Sequence, residues 1–551
     1  LLSYTCTAQE WQWAASGGSR AQESAKYVAV DQDENVYVVG EYEEIPGPYG
    51  DATYGVFGSD TIPYYGESQT FLIKYSNTGT VLWSKSLGGN ALTGKKIPLA
   101  MTFDTTSNCL YLIGSYNGTM ILGNDTLTGS MGRYLTKIDV NGNYIWTKNL
   151  PYLPYVLKTD NLGMLYIAAK NIRFTTIHID TFSIVPNKRF IAKFNPNGEC
   201  VAVNQNFEHI YFEKCIVKNQ YLFIKGSTDS TVIQCDTVHA SFQHNNHNGI
   251  IACFDTSTLH VKRISYLTTI ADTADIYNTD FCVDSAFNTY IVGQFFRNIC
   301  FGPDTFTTYP YSDLFIVKYD SNGTYQWAKR GNYTPGEIGD NLLCSALKNG
   351  DFYVAGIYVG SNLHLGNYVL SFSGHFVARF NPLGDCVNYF LSNFDGTKSG
   401  IYGFKVLEVD NNDNLIIAGG LSGGTCYFDN IALTNTYNPY PGIGYNAGDM
   451  LVAKHNFLTG GEEKMLNTNN RLVIFANPNS GKCNIIIPDE FKTEQELSLQ
   501  ILDNHGKIIQ QNSVQLIDNH IKVNITMEAK GMYHAILTNG KKIYTGKIVF
   551  E

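Results

Sequence analysis

Short apolar runs alternate with turn-rich polar stretches along this chain, and the alternation itself recurs at roughly sixty-residue intervals. A first apolar run ends in a small residue: Gly40, Gly114, Ala169, Gly226, Gly293, Gly356 and Gly419, as in NVYVVG, CLYLIG and TYIVG. A second run carries a cation at Lys74, Lys137, Lys193, Lys318, Arg379 and Lys454. Behind most of these stands a turn glycine (Gly79, Gly142, Gly198, Gly323 or Gly384), and four residues later Trp83, Trp146, Ala202, Trp327 or Asn388. Each repeat reads as four short strands, in the first repeat 26–31, 35–42, 70–76 and 80–87. Asp/Asn turns such as Asp31–Asn35 join the first pair, and Asn-Gly-type hairpin turns join the second. No segment has a sustained helical period with caps.

Four-stranded antiparallel units in a long array predict a β-propeller, which protects its short edges by radial repetition. Repeats start near residues 21, 91, 153, 208, 271, 336 and 397, giving seven blades. A lone strand, Trp11 to Gly17, resembles a fourth strand without its blade; in a closed ring it completes the last one, whereas a linear solenoid has no use for it. The repeat stops near residue 466, and alternating strands resume from Arg471. The expected fold is all-β: a seven-bladed β-propeller over residues 10–465, followed by a small β-sandwich domain over 466–551. Residues 1–9, LLSYTCTAQ, read as the remnant of a secretory signal peptide.

Composition narrows the function. The chain has 551 residues, 37 Tyr and 31 Phe, and only 16% charged residues, which suits pleated, half-buried surfaces. Its formal charge of −10 argues against nucleic acid as a partner, because phosphate binding wants a basic stripe. No apolar run is long enough for a membrane span. The 12 Cys include no C-x-x-C pair. Cys215, Cys282 and Cys344 share one repeat position, and Cys235, Cys300 and Cys426 another; disulfides Cys215–Cys235 or Cys282–Cys300 are open to an oxidising compartment.

Two resemblances follow from these residues. The repeats resemble the bacterial β-propeller family with consensus D-x-x-G-N-x-Y-V-x-G, F-V-A-K and G-x-x-x-W, a scaffold that implies no chemistry. The tail is similar to the C-terminal sorting domain of the type IX secretion system of Bacteroidota, through VIFANPNSGKCNIII, LSLQILDNHGKIIQQ and GMYHAILTNGKKIYTGKIVF. That likeness implies an Ig-like sandwich read by the secretion machinery, and a protein secreted or held at the outer cell surface. It places the sorting signal on Asn477, Pro478, Gly481, Gly506, Gly531, Tyr533 and Lys547.

Candidate chemistry is sparse. Asp236, His239, His244 and His247 offer metal-ligand types, but they sit in a polar loop where His is ordinarily solvated, so no metal and no cofactor is expected. Asp31-x-Asp33-x-Asn35 alternates oxygens as calcium loops do, yet stands where a turn needs Asp and Asn. The recurring cation is expected to pack its stem on the strand and send its charge to water. Asp-Thr pairs at Asp60, Asp125, Asp180, Asp236 and Asp304 read as turn chemistry, and some resemble the O-glycosylation sequon of Bacteroidota. Two insertions break the repeat, 43–69 and 434–449; their Tyr49, Tyr54, Tyr64, Tyr65, Tyr437, Tyr440 and Tyr445 are candidate binding residues. No G-x-S-x-G, H-E-x-x-H or phosphate-loop motif occurs, so no residue is a catalytic candidate. The function expected is a non-catalytic scaffold binding a glycan, matrix or protein partner. The alternatives are a self-assembling structural subunit and an extracellular glycan-active lyase or hydrolase.

Overall fold

The computed structural model describes the chain apart from residues 1–9, 20, 44–53, 66–67, 90–93, 243–247, 270–274, 332, 339–341, 367, 371–373, 392, 395–400, 423–424, 429–430, 436–447, 457–471, 473, 476–479, 488–490, 492–496, 504–506, 515–519, 540–542 and 551. It is all-β, and Glu10–Phe457 forms one compact unit, residues 458–551 belonging to another.

In the larger unit, consecutive strands pair into antiparallel four-stranded sheets. Sheet 1 is Gln22–Val30, Val36–Glu43, Ser68–Tyr75 and Val81–Leu87; sheet 2 is Lys96–Asp104, Cys109–Leu122, Asp125–Asp139 and Tyr144–Asn149. Sheet 3 is Leu153–Thr159, Leu165–Lys170, Arg189–Phe194 and Cys200–Glu208; sheet 4 is Tyr211–Lys218, Tyr221–Thr228, Asn248–Asp255 and Val261–Thr269. Sheet 5 is Asp275–Val283, Thr289–Phe301, Asp304–Tyr319 and Tyr325–Arg330; sheet 6 is Leu343–Ala346, Phe352–Leu365, Gly374–Phe380 and Cys386–Leu391. Sheet 7 takes Ile401–Val409, Leu415–Ser422 and Gly448–Asn456 from the far end of the unit and Glu10–Gly18 from its beginning, paired from Glu10↔Asn456 to Gly17↔Met450. First strands of successive sheets lie side by side, and that of sheet 7 lies beside that of sheet 1. This is propeller architecture.

The repeated phrase acquires physical meaning at the joints. Asp31 is an Asx-turn centre: Oδ1 accepts the amides of Asp33 and Asn35 at 3.0 and 2.8 Å, and Oδ2 accepts the Asn35 amide group and the Tyr37 hydroxyl. Asp284 and Asp410 repeat the Asn contact. Both carboxylate oxygens of Asp31 are thus engaged by protein donors, Oδ2 also by the Lys74 ammonium at 3.3 Å. The recurring lysines do not reach water as expected. Lys74 and Lys137 are buried; their ammonium groups donate to the carbonyls of Val140 and Pro196 in the following sheet, at 3.3 and 3.1 Å. Lys193 and Lys318 do the same to Thr256 and Pro382. Each ammonium also meets a ring face, Lys74 and Lys137 lying 4.9 and 5.0 Å from the ring centres of Tyr37 and Tyr111.

Tryptophan makes a parallel joint. Trp13 Nε1 donates to Asn77 O at 2.9 Å, and its ring covers Gly79, where a Cβ would stand 2.6 Å from ring atoms. Gly79 also holds φ +83°, so glycine is required there twice over. Trp146 over Gly198 and Trp327 over Gly384 repeat the arrangement.

Outer edges are covered by hairpins thrown back from the next sheet. Tyr54–Phe57 and Asp60–Pro63 form one, whose Phe57 and Val56 pair with Gly17 and Gly18. Phe207↔Cys235, Thr268↔Cys300 and Phe394↔Cys426 mark others. Such pairing removes free strand edges. The Asp of an Asp-Thr pair can anchor its hairpin: Asp60 accepts from Ser84 Oγ at 3.1 Å and Asp180 from Cys200 N at 2.6 Å.

The smaller unit is two antiparallel sheets, one of Ile474–Phe475, Lys482–Ile486 and His520–Asn524, the other of Ile508–Val514, Leu497–Asp503, Gly531–Thr538 and Ile543–Phe550. Both contribute to one core that includes Cys483, Ile485, Leu499, Val523, Leu537 and Ile548.

Candidate functional site

A cavity of about 380 Å³ lies where the first strands of sheets 1 to 7 meet. Its lining is built by a recurrent irregularity. In sheet 1, Ala25 pairs with Gly40 and Tyr27 with Val39, so Lys26 is an extra residue, a β-bulge. The same slip leaves Leu99, Tyr155, Glu213 and Lys405 unpaired in sheets 2, 3, 4 and 7. All of these bulged residues line the cavity. Opposite the bulge stands the small residue that ends the first apolar run. A Cβ on Gly40 would meet Ser24 O at 2.3 Å, one on Gly226 Tyr211 O at 2.6 Å, and one on Gly419 Gly403 O at 2.4 Å. Glycine thus relieves a close approach to the bulged strand in sheets 1, 4 and 7, while in sheet 3 Ala169 is accommodated opposite the bulge at Tyr155.

Charge concentrates there. The lining includes Lys26, Lys158, Lys214, Lys225 and Lys405 with Glu213, Asp280 and Glu408. Lys214 Nζ lies 2.8 Å from Asp280, whose Oδ2 also accepts Cys344 N at 2.8 Å. Lys225 is paired with Glu213, and Lys26 with Glu41 at 2.7 Å. Lys158 and Glu408 stand 3.9 Å apart and are about one-third exposed, at 33% and 39%. Burial alone would lower the Lys214 pKa, but Asp280, then Glu408, hold it above its ordinary value. The cavity is thus a water-accessible polar well with both signs of charge fixed on rigid strands, suited to a polar or charged ligand.

The sequence-predicted sites fall elsewhere. Tyr54 is exposed on its hairpin, and Tyr65 is half-buried. Tyr64 is not a surface residue: it is 6% exposed and stacked on Tyr42 at 3.6 Å, because the alternation of Asp60–Pro63 carries it inward to meet Glu23. Tyr49, Tyr437, Tyr440 and Tyr445 lie outside the described residues. Asp236 is buried and committed to Asn204, the Val261 amide and His260, while His239 is exposed; His244 and His247 lie outside the described residues. Among the described residues no three His, Cys, Asp or Glu are grouped to hold a metal. The described thiols are free, including Cys215, Cys235, Cys282 and Cys300. In the tail, Gly481 holds φ +89° against Thr526, Tyr533 is in the core with its hydroxyl donated to Ala529 O, and Lys547 is exposed. Gly531 begins a core strand; Asn477, Pro478 and Gly506 lie outside the described residues. The axial residues were missed in sequence, although a charged residue interrupting the first strand of several repeats, as in AKYV, FEKC and FKVLE, was a signal.

Residues 473–551 match the family described as secretion system C-terminal sorting domain. The segment is a type IX sorting domain, so the protein is exported to the cell surface or the extracellular space. No curated protein matches the chain. Among solved structures, the Dos1 propeller is similar at 10% identity over 81% of this chain and 94% of its own, with a TM-score of 0.38. A protein of unknown function from Dyadobacter fermentans is 10% identical over 80% and 98%, TM-score 0.35. A member of the duf4221 family from Bacteroides vulgatus is 12% identical over 66% and 96%, TM-score 0.28. Among the described residues no helix is long and apolar enough to cross a membrane.

Proposed function

We propose that this exported protein is a closed seven-bladed propeller that binds a polar ligand, a glycan or a charged group of a matrix or protein partner, in its axial cavity without transforming it. The observation that carries the reading is the bulge ring: Lys26, Tyr155, Glu213 and Lys405 leave their ladders and point at one cavity. Binding is favoured over turnover because each lining carboxylate faces a lysine, Asp280 with Lys214, Glu213 with Lys225 and Glu408 with Lys158. A general acid or base needs a carboxyl free to reach the reacting group. Tyr54, exposed on the rim hairpin, is the candidate outer contact. The sorting domain directs export through the type IX machinery, with Lys547 an exposed member of its motif.

The test is a glycan array run beside a turnover screen on the full chain. Binding without product supports the proposal, and release of product from any polysaccharide overturns it. One observation favours self-assembly as a second reading: Leu82, Ile145 and Val201 are exposed aliphatics at one position of the fourth strand in sheets 1, 2 and 3. Light scattering that returns a multimer in the wild type and a monomer in Leu82→Lys would support it.

A further inference from the structure

We propose that Cys282 and Cys344 become a disulfide in the exported protein, a covalent tie between sheets 5 and 6. Cys282 lies in the first strand of sheet 5 and Cys344 in the first strand of sheet 6, and these strands are neighbours. Both thiols are 1% exposed and belong to one apolar cluster with Tyr290, Val292 and Val354. The Cys282 thiol lies close enough to add to the rise that burial gives the Cys344 pKa. The backbone fixes this meeting: Cys344 N donates to Asp280 Oδ2 at 2.8 Å, two residues from Cys282. Cys300, one of the pairings left open by the sequence, instead turns its thiol to Gly302 O at 3.2 Å.

The compartment supplies the driving force, because the sorting domain sends the chain outside, where disulfides persist. Each thiol gives up a proton, and together they give up two electrons as the Sγ–Sγ bond forms. A small-molecule disulfide takes both electrons and both protons and leaves as two thiols. In the closed protein this exchange is blocked: no oxidant reaches the pair, and burial and then Cys282 keep the Cys344 thiol protonated. The bond therefore forms while the sheets are assembling and is afterwards sealed from reductant. It encloses the segment from Cys282 to Cys344 and removes freedom from the unfolded chain.

The full chain, refolded in a glutathione and glutathione-disulfide mixture, is denatured, alkylated and mapped by mass spectrometry. The expected result is a species joining the Cys282 and Cys344 peptides, split by reductant. Wild type refolded from the reduced, unfolded state without oxidant should melt several degrees lower, and Cys344→Ser should be indifferent to that treatment. Alkylation of both thiols after that denaturation, or linkage of Cys282 to Cys300, would overturn the proposal. If Cys344→Ser does not fold, the wild-type peptide map decides alone, and Cys282→Ala supplies the second variant.

Discussion

Replacing Trp13 with Ala is the sharpest test of how the larger unit is closed. Trp13 stands on Glu10–Gly18, the strand that joins the two ends of the unit in sheet 7. Its side chain is 6% exposed, stacked on Tyr75 at 5.7 Å, and covers Gly79 of sheet 1. Truncating a buried tryptophan costs about 3–5 kcal/mol through lost burial and an unfilled cavity. The indole bond to Asn77 O, at 2.9 Å, adds about 0.5–1.5 kcal/mol. Trp327 makes the same joint between sheets 5 and 6 but is only partly buried, so Trp327→Ala should cost less. Urea titrations followed by far-UV circular dichroism give both values, with a second probe to check that unfolding is two-state. A Trp13→Ala loss below about 1 kcal/mol, or one no larger than that of Trp327→Ala, would refute closure through this strand.

Other consequences follow from the buried charges. Lys454 is 0% exposed and held by Asp410 at 2.8 Å and by Glu34 of sheet 1 at 3.0 Å. Lys454→Met strands Asp410 and should cost about 3–5 kcal/mol in urea unfolding, while Lys454→Met with Asp410→Asn recovers part of it. Burial, with the Asp449 carboxylate adding to it, pushes the Glu23 carboxyl up to about 8 against the hydrogen bonds of Ser19 and Tyr64, so its folded form holds a proton that the unfolded chain has lost. Stability from this group falls as pH rises from the ordinary carboxyl range to about 8. Glu23→Gln should therefore gain on the wild type across that window, by more than ~1 kcal/mol at pH 8, in pH-dependent melting. Burial lowers His375 and His455 to about 4, so each favours the neutral ring. Stability present above pH ~6.5 should be lost as pH falls toward 4, and a His455→Phe variant should show a shallower acid loss.

Much of the fold was legible because strand period, hairpin turns and repeat spacing are local signals. The orphan Trp11–Gly17 strand was readable for the same reason: it repeats a fourth-strand phrase, and it pairs with Gly448–Asn456. What the lysines do was not legible. Lys74 and a surface lysine look alike in sequence, and only the fold brings Asp31 and the neighbouring turn at Val140 to the ammonium. Tyr64 misled because composition marks a Tyr-rich insertion as a loop, while period-two alternation within it sends this ring into the core. The axial site was hidden by register. A bulge adds one residue to one strand, and it is visible only when Gly40 is seen opposite Ala25 with Lys26 left over.

The central claim is that a ligand sits in the axial cavity, and a charge-swap binding experiment tests it most directly. Lys158 and Glu408 face each other at 3.9 Å and are exposed enough to be reversed without breaking the core. The ligand found by the array is titrated against wild type, Lys158→Glu, Glu408→Lys and the double swap. The account predicts binding without product in the wild type, at least ~10-fold weaker binding in each single reversal, and partial recovery in the double swap, a tenfold change being about 1.4 kcal/mol. Affinity indifferent to all three variants, or product released by the wild type, would contradict it.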